Sequence, residues 1–113
     1  MKKKKNFTPL TEATYLILLS LIEPLHGYGI MQKIESISEK RVKMGPGTLY
    51  GGLSGLLEKK MIQKLGESPR GEERKKMYKI TDSGMDVLEK EYSRLKQLVS
   101  IGENVLEKEK NNG

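Results

Sequence analysis

The chain has 113 residues, of which 35% are hydrophobic and 32% charged, so we expect one folded domain with a modest core rather than a disordered chain. Its net charge of +6 favours an anionic partner, such as nucleic acid or an anionic membrane surface. The absence of cysteine excludes disulfides and thiolate metal sites, and it is compatible with a reducing, cytoplasmic location.

The beginning of the chain imitates a signal peptide. Lys2 to Lys5 are basic, and an apolar run follows from Tyr15 to Ile22. Glu12 comes before this run, Glu23-Pro24 ends it, and it is far shorter than the ~20 residues that cross a membrane. We therefore expect a cytoplasmic protein without a membrane segment. Residues 1–7 form a basic arm, which is either simply solvated or contacts phosphates.

The first predicted helix starts at Thr8-Pro9, a capping hydroxyl followed by proline at the first helical position. It runs to Glu23, because Pro24 cannot continue it. Its apolar residues are not confined to one stripe, which indicates burial on more than one side. We therefore expect a second copy of the chain to cover its far side, with Leu16 and Leu19 in the dimer interface.

The residues from His26 to Gly29 predict a turn into a second helix, at about residues 29–39. The inward-facing residues of this helix are Ile30, Ile34 and Ile37. His26 is the only histidine, so we expect a capping or packing role for it and no metal site. A basic connector follows, in which Val42 and Met44 alternate with polar residues and predict one short strand.

The third predicted helix starts at Pro46 and ends near Lys59-Lys60. Its apolar face consists of Leu49, Leu53, Leu56 and Leu57. The opposite face has almost no bulk and consists of Gly47, Thr48, Gly51, Ser54 and Gly55, with Tyr50 on its flank. Each glycine weakens a helix by roughly 1 kcal/mol relative to alanine. Several glycines on one exposed face suit the close approach of another molecule to the backbone, and we infer that this molecule is DNA.

Two strands come next, at Met61–Leu65 and Met77–Ile80. Ile62 and Leu65 are the predicted buried residues of the first strand, and Tyr78 and Ile80 face the same way in the second. The segment between them has turn residues at its centre and a basic end, which is typical of a hairpin with a long tip. Solubility is the alternative reason for its charges. A helix-turn-helix followed by a basic hairpin is a winged helix, so the predicted class is mainly α with a small β-hairpin (α+β).

Thr81-Asp82 predicts the start of the last and longest helix. Its apolar positions alternate four and three apart, as in a coiled-coil seam. A helix this long cannot pack fully on so small a body, so we expect it to pair with a partner subunit and to fray from Glu107 onward. Its predicted dimer contacts are Leu88, Tyr92, Leu95, Val99 and Leu106. The predicted domains are the arm at 1–7, the DNA-binding domain at 8–81 and the dimerisation helix at 82–110.

Four motifs, in this order, resemble the PadR family of bacterial transcriptional regulators. They lie at residues 10–15, 25–30, 45–51 and 78–84. The resemblance runs from about Leu10 to Leu98, and the single last helix is similar to the short subfamily. The resemblance implies a winged helix-turn-helix, a homodimer formed largely through the last helix, and repression at a palindromic operator. It also implies that the third helix enters the major groove and that the wing approaches the flanking DNA.

The resemblance also implies site residues. The groove-facing candidates are Pro46, Gly47, Thr48, Tyr50 and Gly51. The phosphate or wing candidates are Lys43, Arg70, Arg74, Lys75 and Lys76, and the tyrosines that match those of the family are Tyr15 and Tyr28. Some family members bind phenolic acids or flat aromatic drugs near the dimer interface. An effector here would be lined by Phe7, Tyr15, Met85 and Tyr92, for which ordinary interface packing is the alternative. The chain has no tryptophan to sandwich a ligand.

Two other classes of function fit the sequence less well. A winged helix that binds proteins is one alternative, although the basic hairpin argues against it. An enzyme or nucleotide-binding protein is the other. The glycines of the third helix lack the Gly-Lys-Ser/Thr ending and the Gly-x-Gly-x-x-Gly spacing of phosphate loops. With one histidine and no convergent carboxylate pair, we expect neither an enzyme nor a cofactor.

Overall fold

The computed structural model describes residues 9–67 and 76–112. Its elements in chain order are α1 (Glu12–Ser20), β1 (Leu25–His26), α2 (Gly27–Ile37), α3 (Pro46–Glu58), β2 (Ile62–Glu67), β3 (Lys76–Ile80) and α4 (Asp82–Asn112). β3 lies between β1 and β2, and both pairings are antiparallel. Helices with one small antiparallel sheet confirm the predicted α+β class. None of the helices in these residues has the length and apolar character needed to cross a membrane.

α1 is shorter at both ends than predicted. Its N-cap is Thr11, whose hydroxyl accepts a hydrogen bond from the Thr14 N–H at 3.1 Å, so the cap is not Thr8. The helix ends at Ser20 instead of Glu23. The reason is a tertiary contact, because the Leu21 carbonyl accepts a hydrogen bond of 2.8 Å from the Ile80 N–H of the sheet. That contact draws the chain out of the helix before Pro24.

The other elements of the chain surround α1. Ile17, Leu18 and Leu21 are fully buried, and α1 packs against α2, α3 and α4. Leu16 and Leu19, which we predicted as dimer contacts, are partly buried against this same core. The chain itself thus covers most of α1, and Leu16 and Leu19 keep part of their surface exposed, so their contact with a second copy stays a prediction.

A strand that the sequence analysis missed lies directly before α2. Leu25 pairs with Tyr78 of β3 and His26 with Met77, and α2 begins directly afterwards at Gly27. A two-residue strand shows no periodicity, so only its pairing with β3 reveals it. His26 is the N-cap of α2 by backbone position, but its side chain makes no capping hydrogen bond.

Two further predictions about this region were wrong. Ile37 is 42% exposed, whereas Ile30 and Ile34 are fully buried as predicted. The segment from Val42 to Met44 is not a strand. Strands need a partner for their backbone groups, and β2 and β3 pair with each other instead.

The hairpin strands and the start of α4 agree with the sequence. Ile62, Tyr78 and Ile80 are buried, whereas Leu65, which was predicted to be buried, is only partly so. The register of β2 and β3 is irregular between residues 64 and 67. Thr81 caps α4, because its hydroxyl accepts a hydrogen bond of 3.0 Å from the Gly84 N–H. A Cβ on Gly84 would overlap the backbone of the residue before β2, so α4 can start here only with a glycine. α4 extends to Asn112, past the residues where we predicted fraying.

α3 closes on a lysine in the left-handed conformation. Lys60 has a φ of 62°, and its N–H donates to the Leu57 carbonyl at 3.0 Å. The Met61 N–H donates to the Leu56 carbonyl at 2.9 Å, which completes the Schellman motif. α2 closes with the same hydrogen-bond pattern around Glu39, whose φ is 55°. Glycine is the residue that normally occupies this position.

An ion pair between the buried Glu91 and the partly exposed Arg94 joins α4 to the beginning of α1. Glu91 is 1% exposed, and its carboxylate accepts two hydrogen bonds of 2.8 Å from the Arg94 guanidinium. It also accepts a bond of 3.3 Å from the backbone N–H of Leu10, next to the α1 cap. The hydrogen bonds from Arg94 hold the pKa of Glu91 below its usual value, although burial opposes them.

Lys60→Gly should stabilise the chain by roughly 0.5–1 kcal/mol, because it removes the cost of a left-handed side-chain-bearing residue. Urea unfolding measures the change. Lys59→Gly is the matched control, since Lys59 has a φ of −85° and gains nothing from glycine. Equal destabilisation by both substitutions would contradict the strain at Lys60.

Glu91→Gln should make the free energy of unfolding less dependent on pH in the acidic range. Because the folded-state pKa of Glu91 is lowered, its charged form stabilises the fold above the unfolded value of about 4.3, and this contribution disappears as pH falls through the folded value. The difference in unfolding free energy between wild type and Glu91→Gln should be largest near pH 7 and shrink below about pH 4. Glu12→Gln, which breaks an exposed ion pair with Arg41, should show a much smaller difference throughout.

Candidate nucleic-acid interface

One face of α3 packs into the core, and small, exposed residues form the opposite face. Leu49, Leu53 and Leu56 are buried in the core. On the opposite side, the exposed residues are Pro46, Gly47, Thr48, Gly51 and Ser54. Among the described residues, a Cβ built on Gly47, Gly51 or Gly55 would meet no atom within 4 Å outside the helix's own backbone, so packing in this part of the chain does not require these glycines.

Gly52 shows the contrast on the inner side of the same helix. A Cβ there would lie 2.8 Å from Cδ1 of Ile17, so the missing side chain lets α1 and α3 approach closely. Close packing therefore explains Gly52, but it does not explain the three glycines on the outer face of α3.

The first turn of α3 has backbone N–H groups without an acceptor inside the helix. Gly45 is the N-cap, Pro46 follows it, and no side chain caps the helix. The N–H groups of Gly47 and Thr48 belong to the first turn, where a helix has no acceptor of its own. Together with the positive end of the helix dipole, exposed N–H groups of this kind suit a phosphate or another anion.

Tyr50 occupies a different position from the other groove-facing candidates. It is 50% exposed, and its ring lies against the start of α2, where a Cβ on Gly27 would overlap the Tyr50 hydroxyl. The pKa of Tyr78 is raised mainly by its burial and to a smaller extent by the nearby Tyr50. Tyr50 therefore packs α3 against α2 and the sheet. Gly27, between His26 and Tyr28 in the sequence, makes room for the Tyr50 ring.

The remaining predicted DNA contacts fall into three groups. Tyr28, Lys43 and Lys76 are exposed at the start of α2, before α3 and at the start of β3. Tyr15 lies elsewhere, on the α4 side of α1, where burial, Tyr92 and Glu91 raise its pKa. The wing candidates that lie outside the described residues are Arg70, Arg74 and Lys75.

Two of the four predicted effector residues share a groove between α1 and α4. The groove has a volume of about 290 Å³ and is open to solvent. Its lining residues are Tyr15, Tyr92, Leu95, Lys96, Val99, Ser100 and Glu103. Met85 is not among them, because it packs against the core, and Phe7 lies outside the described residues.

The predicted dimer contacts on α4 separate into core and surface. Leu88 is buried in the chain's own core, so it offers no surface to a partner. Leu95 is partly buried. The apolar side chains that are at least half exposed on α4 are Tyr92, Leu98, Val99, Ile101, Val105 and Leu106. We call these six residues the α4 stripe.

In the part of the chain that the structure describes, no three His, Asp or Glu side chains come together as a metal site.

Comparison with known proteins agrees with this architecture. The profile of the Transcriptional regulator PadR-like family matches residues 16–90. The chain belongs to this family. Members of the PadR-like family are transcriptional regulators and not enzymes, as the motifs predicted.

Three similar proteins illustrate the relationship. An uncharacterised 37.1 kDa protein in transposon TN4556 of Streptomyces fradiae is 36% identical over 88 residues, which are 77% of this chain and 24% of that protein. The chain thus spans about a quarter of that relative's length. A PadR-like transcription factor of Bacteroides fragilis is 29% identical with a TM-score of 0.67, covering 81% of this chain and 87% of that one. Bacillus subtilis PadR, solved in complex with operator DNA, is 26% identical with a TM-score of 0.63, covering 73% and 47%.

Proposed function

We propose that this PadR-like regulator binds a palindromic operator as a homodimer and represses transcription. The observation that carries the proposal is the exposed face of α3, where three glycines have open space and no packing role. A helix gives up roughly 1 kcal/mol at each such glycine. Close approach of the walls of a DNA groove to the α3 backbone would explain why the helix keeps these glycines despite their cost in stability.

The start of α3 suits DNA chemically. The N–H groups of Gly47 and Thr48 donate to a phosphate oxygen, and the helix dipole adds to this attraction. Thr48 has a hydroxyl for base edges and a methyl group for the thymine methyl. The relative from Bacillus subtilis, solved with operator DNA, supports DNA as the ligand.

The source of selectivity follows from what α3 lacks. None of its residues is Arg, Asn or Gln, the side chains that form paired hydrogen bonds with guanine or adenine. Selectivity therefore comes from DNA shape, from the spacing of two half-sites and from the wing, to which we assign Arg70, Arg74, Lys75 and Lys76. Because the net charge is +6 and phosphate contacts dominate, affinity falls steeply with salt.

The α4 stripe supports the homodimer. α4 has 31 residues and is about 46 Å long, and its outer half carries most of the stripe away from the core. Gly102 lies within the stripe, and a Cβ there would have no atom within 4 Å, so a second helix can approach closely. Within the stripe, Tyr92, Val99 and Leu106 recur every seven residues, the period of paired helices, which makes a second copy of α4 the fitting occupant. Two-fold pairing presents the two α3 helices to successive major grooves about 34 Å apart.

Gly51→Ala should weaken DNA binding while it stabilises the fold. The added methyl raises helix stability by about 0.5–1 kcal/mol, because it has open space in the free protein. In the complex it meets the DNA, and we expect roughly tenfold lower affinity, equivalent to about 1.4 kcal/mol. Fluorescence anisotropy on an operator selected from random DNA, together with urea unfolding, measures both effects.

Ser93→Ala is the matched control for Gly51→Ala. It replaces an exposed residue of α4 outside the stripe and improves helix propensity without touching α3, so affinity should not change. Thr48→Glu puts a carboxylate on the α3 face and should abolish binding. If Gly51→Ala and Thr48→Glu bound the operator as well as the wild type does, DNA would not contact this face.

Val99→Glu should separate the dimer. A carboxylate buried in the middle of the stripe opposes pairing, so we expect at least roughly tenfold weaker dimerisation. Sedimentation velocity measures the change, and circular dichroism checks that the monomer stays folded. Gln97→Glu is the control, because it adds the same charge at an exposed position of α4 outside the stripe. A Val99→Glu variant as dimeric as Gln97→Glu would contradict pairing through the stripe.

A further inference from the structure

Glu91 is a charged residue at a buried position between α1 and α4, where an apolar side chain is the usual choice. The neighbouring inward positions on α4, Leu88 and Leu95, are both apolar. Glu91 nevertheless has only 1% of its surface exposed. Its carboxylate accepts three hydrogen bonds of defined direction, two from Arg94 and one from the Leu10 backbone.

Stability alone does not explain this arrangement. Removing a carboxylate from water is costly, and apolar side chains of similar volume often replace a buried ion pair with no loss of stability. The ion pair gives direction instead. Two bonds from the Arg94 guanidinium orient the carboxylate, and its Oε2 then accepts the N–H of Leu10, next to the residue that caps α1. The bond fixes where α1 starts on α4.

The position of α1 is transmitted to α3. At Gly52 the two helices are in contact with no α3 side chain between them. A Cβ placed on Gly52 would lie only 2.8 Å from Cδ1 of Ile17 in α1. Close-packed interiors have low compressibility and transmit strain from one element to the next. A change in the angle between α4 and α1 therefore changes the direction in which α3 points.

We propose that Glu91 is a positioning residue, which fixes the angle between α4 and α1 through Arg94 and Leu10 and so sets the distance between the two α3 helices of the dimer. This inference rests on the proposed function, because it assumes pairing through α4 and DNA binding through α3. Glu91 does not itself touch DNA. Its role is to restrict the half-site spacings that the dimer accepts.

A series of operators with different spacing tests this role. Duplexes carry two copies of the selected half-site, with the centre-to-centre distance varied one base pair at a time around one helical turn, about 10 base pairs. Wild type should show a sharp affinity optimum. The double variant Glu91→Met/Arg94→Met keeps apolar packing and loses the hydrogen bonds, so affinity should fall at the best spacing and less elsewhere. We expect the preference for the best spacing over its neighbours to shrink about tenfold, with affinity for a single half-site unchanged.

Two further variants complete the experiment. Glu91→Gln retains one oxygen for the Leu10 N–H but loses the charge that orients it, so its preference should be intermediate. Glu12→Gln is the control, because it removes a carboxylate near the same end of α1 without touching α4, and its profile should match wild type. Sedimentation and urea unfolding confirm that each variant is a folded dimer.

The outcomes separate the two proposals. If the folded, dimeric Glu91 variants keep the wild-type spacing profile, Glu91 is a structural residue only, and the positioning role is overturned while the proposed function stands. If the wild-type chain binds no duplex, the proposed function fails and this inference fails with it. A reduced preference in the double variant, with single-site affinity intact, supports the inference, because a merely structural role would not produce that combination.

Discussion

The burial of three leucines holds α3 in place and allows its other face to be bare. Leu49, Leu53 and Leu56 each gain about 1.5–3 kcal/mol on burial, or roughly 5–9 kcal/mol together. The three glycines of the outer face cost roughly 3 kcal/mol relative to alanine. Because the inner face outweighs the outer one, a helix with poor intrinsic propensity remains stable while its backbone stays accessible. The DNA-binding function proposed here depends on that balance.

The distribution of glycine supports the same conclusion. Left-handed residues close α2 and α3, yet Glu39 and Lys60 occupy those positions, where glycine is normally favoured. Gly52 and Gly84 lie where a Cβ would be too close to neighbouring atoms, so close packing explains them. On the outer face of α3, by contrast, neither backbone conformation nor packing requires glycine. A requirement from outside the chain is the explanation that remains for that face.

Local patterns predicted most of what positions the site. The period of the leucines in α3, the alternation in β3 and the capping hydroxyl of Thr81 are short-range signals, and the structure confirms them. The features that were missed depend on distant residues. β1 exists only through its pairing with β3, and α1 ends early because a sheet residue binds the Leu21 carbonyl. The burial of Glu91 was missed for the same reason, although an acid three residues before an arginine, between inward apolar positions, was a signal for it.

Site-directed DNA cleavage from α3 tests the central claim most directly. The chain has no cysteine, so Ser54→Cys provides one attachment point for an iron chelate on the exposed face of α3. On the selected operator, the labelled dimer should cut at two positions about one helical turn apart. The same chelate at Ser93→Cys, on the polar side of α4, should cut weakly and without a defined position. Strong, localised cutting from position 93 and none from position 54 would show that another surface of the protein meets the DNA.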